Sequence, residues 1–160
     1  MSDMQHLKQG ATLQGGKYRI EKKLGDGTFG ITYLAKTKVT VSGQLGMMDA
    51  EVSVAIKEFF MKDLNQRASN GTSITGTDQT MSKKYRQKFY TEARNLSRLK
   101  HPNIVGVLEV FEENNTTYYA MEYVDGMNLN DYIKNHGALA ESEALRLLRE
   151  ISIALSYMHD

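Results

Sequence analysis

The residues whose types and spacing could do chemistry are three glycines, one lysine and one glutamate. Gly25, Gly27 and Gly30 fall within six residues in "LGDGTFG"; Lys57 ends "VAIK"; Glu92 lies in "TEARNL". Glycine loses more conformational freedom on folding than any other residue, so such a cluster asks for a reason. Close approach of bare backbone to a ligand is one. The amides of such a turn, with an ammonium beside them, suit the dense negative charge of a nucleotide phosphate chain. On the glycines alone, an ordinary glycine-rich hairpin explains the pattern equally well.

Two very different sites use a G-x-G-x-x-G. In a dinucleotide-binding unit the third glycine opens a helix that receives the pyrophosphate. Here Gly30 opens "ITYLAKTKVTV", whose apolar residues alternate with period two, which argues for a strand and against that unit. A Walker loop needs Gly-Lys-Ser/Thr, and none follows Gly30. In "AEVSVAIKEFF" Val52, Val54 and Ile56 share one strand face, and Ala55 and Lys57 the other. A lone strand lysine is ordinarily a solvated charge; beside small Ala55 and a glycine hairpin it acquires a ligand-binding reading. Glu92 falls seven residues after Tyr85, three after Phe89 and four before Leu96, on the apolar stripe of a helix expected over about Ser82–Lys100. A carboxylate there needs a partner. Arg86 or Arg94 on its own helix would serve, and so would Lys57 across the fold.

The elements that must position these residues follow from pattern. Residues 1–16 read as a loosely held arm ending in Gly15-Gly16, and "KYRIEKKLG" as a strand feeding the glycines. "SGQLGMM" reads as a turn between two strands. Residues 61–80, rich in Gly, Ser, Thr, Asn and Asp, read as a long exposed loop. After the helix comes "HPNIV" with the chain's only proline, Pro102, then a hairpin joined around Glu112–Thr116. "GMNLNDYIKNHG" suggests a short helix closed by Gly137. The last segment is a strongly amphipathic helix with Ala144, Leu147, Leu148, Ile151, Leu155 and Met158 on one stripe. Antiparallel strands with one inserted helix, then helices, make an α+β fold rather than a parallel βαβ sheet.

Composition narrows the classes. The chain has 160 residues, enough for one domain with its own core. Its formal net charge is +1 and it has no basic run, so no global charge draws it to nucleic acid or an anionic membrane. Cysteine is absent, which excludes disulfides and thiolate metal sites. No apolar window is long enough to span a bilayer, and the polar N-terminus lacks the core of a signal peptide. A cytoplasmic domain with no membrane contact is the expectation. The nine methionines read as adaptable core filler.

"LGDGTFGITYLA", "VAIKEFF", "TEARNLSRLKHPNIV" and "YYAMEYVDGMNL" occur in the order and spacing of the protein kinase N-terminal lobe. From about residue 12 to its end, the chain resembles bacterial eukaryotic-like serine/threonine kinases. The resemblance implies a five-stranded antiparallel sheet with helix αC over residues 17–123, then a hinge and helices αD and αE over 124–160. It also implies roles. Gly25, Gly27 and Gly30, with Phe29 at the tip, would cover the ATP phosphates, and Lys57 would contact the α- and β-phosphates with Glu92 as its αC partner. Leu24 and Ala55 would roof the adenine, Met121 would be the gatekeeper, and the backbone of Glu122 and Val124 would bond the adenine edge. Leu96 and Val107 would lie in the hydrophobic spine behind the site, and His101-Pro102-Asn103 would anchor αC. Thr32 stands where the family usually has valine, adding a hydroxyl near the adenine. Asn128 stands where many basic-directed kinases carry an acid.

The resemblance makes the parent a serine/threonine kinase that takes ATP, Mg2+ and a protein substrate. Within these residues there is no His-Arg-Asp and no Asp-Phe-Gly, so the base and both metal ligands of the family are missing. No metal-binding residue is assigned here, and the 160-residue chain alone is expected to be inactive. A non-catalytic kinase-like module that binds nucleotide or protein is the alternative. The apolar stripe over residues 141–158 leads to the expectation of self-association.

Overall fold

The computed structural model describes residues 5–160. The chain divides into two compact units: residues up to Arg98 with Val107–Tyr123, and Leu99–Gly106 with Val124–Asp160. In chain order the first unit contains β1 (Thr12–Leu13), β2 (Tyr18–Asp26), β3 (Gly30–Gly43), β4 (Gly46–Phe59), β5 (Gln66–Arg67), β6 (Ile74–Thr75), α1 (Thr80–Leu96), β7 (Val107–Glu113) and β8 (Thr116–Glu122). Six strands form one antiparallel sheet in the order β1-β2-β3-β4-β8-β7, and β5 pairs with β6 apart from it. This is the expected α+β arrangement with one strand more than five: two-residue β1 pairs Thr12 with Arg19 at the edge.

Local chemistry sets the connections. The β3–β4 turn is tighter than "SGQLGMM" suggested: Gly43 pairs with Gly46, whose φ of 106° belongs to glycine, and Met47 and Met48 are already in β4. Between β7 and β8, Asn114 and Asn115 have φ of 53° and 61°, the positive pair that a two-residue type I′ hairpin requires. The helix expected over Ser82–Lys100 runs instead from Thr80 to Leu96. It lies against β7 and β8 through Phe89, Ala93 and Leu96.

The sheet has two unlike faces. One carries the main core: Ile31, Tyr33 and Ala35 of β3, Val54 and Ile56 of β4, and Tyr118 and Ala120 of β8. Two expectations fail on this face. The arm expected over 1–16 is packed in its described part, with Leu7 and Leu13 each 1% exposed in that core; its first four residues lie outside the described ones. Burying two such leucines contributes about 1.5–3 kcal/mol each, enough to hold a polar segment down. The loop expected over 61–80 is not simply exposed either. Asn65, Ile74 and Thr77 are buried, and Asn65 replaces missing backbone partners by accepting from Met61 N at 2.8 Å and donating to Ser82 Oγ at 3.0 Å.

Beneath both segments is a polar cluster. Glu58, 0% exposed, points into the apolar face and accepts from Tyr33 Oη at 3.0 Å, Tyr118 Oη at 2.6 Å, and Arg67 Nη2 at 2.6 Å and Nη1 at 3.0 Å. Arg67 also donates to the carbonyls of Gln5 and Thr72, both at 2.9 Å, and Leu7 N donates to Tyr33 Oη at 3.0 Å. One buried ion pair thus ties the N-terminal segment and the 61–80 segment to the sheet.

Burial first, then the Glu58 charge and hydrogen bond, push the Tyr33 and Tyr118 phenols above the ordinary tyrosine value. A raised folded-state pKa stabilises fully below the unfolded value, near 10, and is lost as pH rises through the folded one. In a phenolate absorbance titration, both residues should therefore ionise above about pH 10 only together with loss of the native circular dichroism. Smooth ionisation of every tyrosine in a still-native protein would contradict this.

The second unit contains α2 (Leu129–His136) and α3 (Glu141–His159). Asn128 is the N-cap of α2, its Oδ1 accepting from Asp131 N at 2.9 Å, which gives this residue a local structural reason. Gly137, with φ of 82°, closes the helix. The His101–Asn103 turn is held to α3: His101 packs on Tyr157 with ring centroids 5.1 Å apart, and Asn103 Nδ2 donates to the Glu150 carbonyl at 3.0 Å. Leu148, Ile151, Leu155 and Met158 of α3 are exposed. Among the described residues, no helix is long and apolar enough to cross a membrane.

Candidate functional site

Register brings the candidate residues to the face opposite the Glu58 cluster. Gly25 pairs with Thr32, Thr32 with Lys57, Lys57 with Tyr119 and Tyr119 with Val110, so one row crosses five strands. Two residues along β3, β4 and β8, and three along β7 across its bulge, Leu34 pairs with Ala55, Ala55 with Met121 and Met121 with Val107. Cross-strand partners point to the same side. Thr32, Ala55, Lys57 and Met121 therefore share a surface because β3, β4 and β8 alternate in phase.

The glycine hairpin closes by Gly27 N donating to the Gly30 carbonyl at 2.8 Å. Its glycines are not equivalent. A Cβ on Gly30 would lie 2.9 Å from the Glu58 carbonyl and 3.4 Å from Lys57 Cε; on Gly25 or Gly27 it would meet nothing within 4 Å. Gly30 is thus required by close packing on the β4 backbone at Glu58, with the lysine stem alongside. Substituting Gly30 by valine should pry the hairpin from β4 and lower the thermal midpoint, while Gly27→Ala should leave that midpoint nearly unchanged. Equal midpoints for the two variants would sink the distinction.

Lys57 is half-buried and forms no ion pair among the described residues. The expected partnership with Glu92 is not formed. Glu92 is exposed, not on the buried stripe, and pairs with neither Lys57 nor Arg86 nor Arg94. The helical spacing put it near Phe89, but Ala93 is the residue that turns inward, and Glu92 sits at the stripe's margin. It remains close enough that, after burial, its charge is what raises the Tyr119 phenol pKa, and Tyr119 is the β8 neighbour of Lys57. Leu96, Val107 and Met121 pack together around Ala93 and Tyr119, gathering the expected spine and gatekeeper positions into one cluster. Leu24 and Phe29 are exposed on the hairpin. Glu122 ends β8 opposite Val54, and Val124 is exposed in the second unit.

Residue-type reasoning missed the Glu58–Arg67 pair. The signal was present: alternation puts Glu58 on the Val54/Ile56 face, where a charge demands a partner, and Arg67 is the lone arginine of the 61–80 segment.

Comparison with known proteins gives concordant results. The protein kinase domain family matches residues 18–160. The serine/threonine-protein kinase PrkC of Bacillus subtilis (strain 168) is 31% identical over 144 residues, covering 90% of this chain and 18% of that protein. The apo form of PpkA-294 superposes with a TM-score of 0.66 at 28% identity, over 82% of this chain and 43% of that one. The Mycobacterium tuberculosis PknI kinase domain superposes with a TM-score of 0.65 at 22% identity, over 96% and 51%, a likeness of fold. The chain therefore spans about half of these solved structures and under a fifth of the curated relative.

Proposed function

Because this chain belongs to the protein kinase domain family, we propose that it is the ATP-binding lobe of a serine/threonine protein kinase. The complete parent would transfer the γ-phosphoryl group of ATP to hydroxyls of a protein substrate. The observation that carries the reading is the row Gly25–Thr32–Lys57: the lysine stem lies against Gly30, and its ammonium forms no ion pair among the described residues. Lys57 would hold the α- and β-phosphates, and the Gly25–Gly30 backbone with the Phe29 tip would cover them. Leu24, Thr32, Ala55 and Met121 would enclose the adenine, and the main chain from Glu122 to Val124 would meet its edge. ATP supplies the transferred group; these residues bind and orient it.

Glu92 would pair with Lys57 once α1 turns it inward. Its exposed position favours a second reading, a non-catalytic nucleotide- or protein-binding module, and phosphate transfer by the complete protein separates the two. Among the described residues no three His, Asp or Glu side chains converge on a metal position. The family implies Mg2+, which together with ATP would supply charge neutralisation of the phosphates in the complete parent. Lacking His-Arg-Asp and Asp-Phe-Gly, the 160-residue chain by itself should turn over no ATP. A cytoplasmic location belongs to the same proposal. The exposed stripe of α3 supports self-association of the 160-residue chain, which concentration-dependent light scattering would register.

Calorimetric titration with adenosine, ADP and ATP tests the reading. Affinity should rise with each added phosphate; equal affinity for adenosine and ATP would overturn it.

A further inference from the structure

Phe29, at the tip of the glycine hairpin, is 45% exposed, yet its ring is not loose: it packs on Tyr85 of α1, with centroids 5.2 Å apart and planes at 32°. Its carbonyl also accepts from Phe60 N at 3.0 Å. Tyr85 belongs to the helical stripe that continues through Phe89 and Ala93. Phe89 packs on Phe59 and Tyr119 of the sheet, with centroids 5.6 and 5.2 Å away. One turn earlier the helix presents Tyr85, and there the hairpin tip is the aromatic neighbour.

We propose that Tyr85 is a positioning residue for the nucleotide flap: its ring holds the Phe29 tip, so the hairpin meets nucleotide already ordered and moves with α1. This rests on the nucleotide reading above. The physical reason is preorganisation. A turn containing Gly25 and Gly27, with open space where a side chain would sit at each, has much backbone freedom to lose. Anchoring its tip before the ligand arrives reduces the ordering that binding must supply. The anchor also gives α1, the helix that carries Glu92, a direct mechanical link to the flap.

The chain contains no tryptophan, so Phe29→Trp introduces a single fluorescent reporter at the tip. Acrylamide quenching and anisotropy are measured without nucleotide in this variant alone and combined with Tyr85→Ala or Tyr85→Phe. ATP affinity is then measured for Tyr85→Ala and Tyr85→Phe with Phe29 intact. Tyr85→Ala should raise quenching, lower anisotropy and weaken ATP binding about two- to tenfold, the range expected for one aromatic pair. Tyr85→Phe keeps the ring and should match the parent in every measurement. Unchanged quenching in Tyr85→Ala, unchanged or tighter ATP binding, or a Tyr85→Phe that behaves like alanine would overturn the proposal. Absence of ATP binding in the unsubstituted chain would remove the role in nucleotide binding as well. The nucleotide-free quenching tells that failure apart, since it reports the anchored tip independently.

Discussion

Replacing Arg67 by methionine is expected to destabilise the first unit by about 3–5 kcal/mol, the loss typical of removing one member of a buried ion pair. Both side chains are almost wholly buried, at 1% and 0% exposure, so Glu58 would be left buried without its cation. The three hydrogen bonds that Arg67 makes to Thr72, Gln5 and Tyr33 would go too, loosening the 61–80 and N-terminal segments together. The double variant Arg67→Met with Glu58→Gln should recover much of the loss. The amide oxygen accepts from one of the two tyrosine hydroxyls, its NH2 donates to the other, and no charge is left to be paired. Urea unfolding midpoints check this directly. A single variant within 1 kcal/mol of the parent, or a double variant worse than the single, would refute a net structural role for the pair.

Lys57→Met, in the complete protein, is expected to reduce phosphate transfer from ATP by about 10²–10³-fold or more, as when one preorganised electrostatic donor is removed. The fold should survive. Methionine replaces the aliphatic stem that lies against Gly30 and removes only the ammonium, which no ion pair of the described residues uses. Lys57→Arg should not restore transfer. A guanidinium is a wide planar fork rather than a compact point charge, so it does not place its charge where the ammonium sits. Radiolabelled transfer to a generic protein acceptor, alongside thermal melts, measures both effects. Near-parental transfer by either variant would remove Lys57 from its proposed role.

Much of this site was legible because it is local. Period-two alternation in "AEVSVAIKEFF" is a property of that strand alone, and it placed Ala55 and Lys57 on a common face; the register adds Thr32 to it. What was not legible depends on distant segments. Nothing within residues 1–16 says that Leu7 and Leu13 will be covered; they are buried because the sheet's outer face needs a lid. The composition of 61–80 reads as solvated, yet Asn65 is buried by bonds that reach from Met61 to Ser82. Glu92 shows the limit of helical spacing. Periodicity gives a direction to within a residue's width, and here the sheet takes Ala93 and leaves the carboxylate outside. The same uncertainty does not arise in the strands, where a slip of one residue would reverse every side chain.

The most direct test of the central claim is covalent. An ATP analogue bearing a reactive acyl phosphate transfers its acyl group to an amine held beside the phosphates, and peptide mass spectrometry reads the modified lysine. The nucleotide reading requires Lys57 to be the principal site, with labelling suppressed by excess ATP. Equal labelling of lysines scattered over the surface, or labelling of Lys57 that ATP does not reduce, would contradict it.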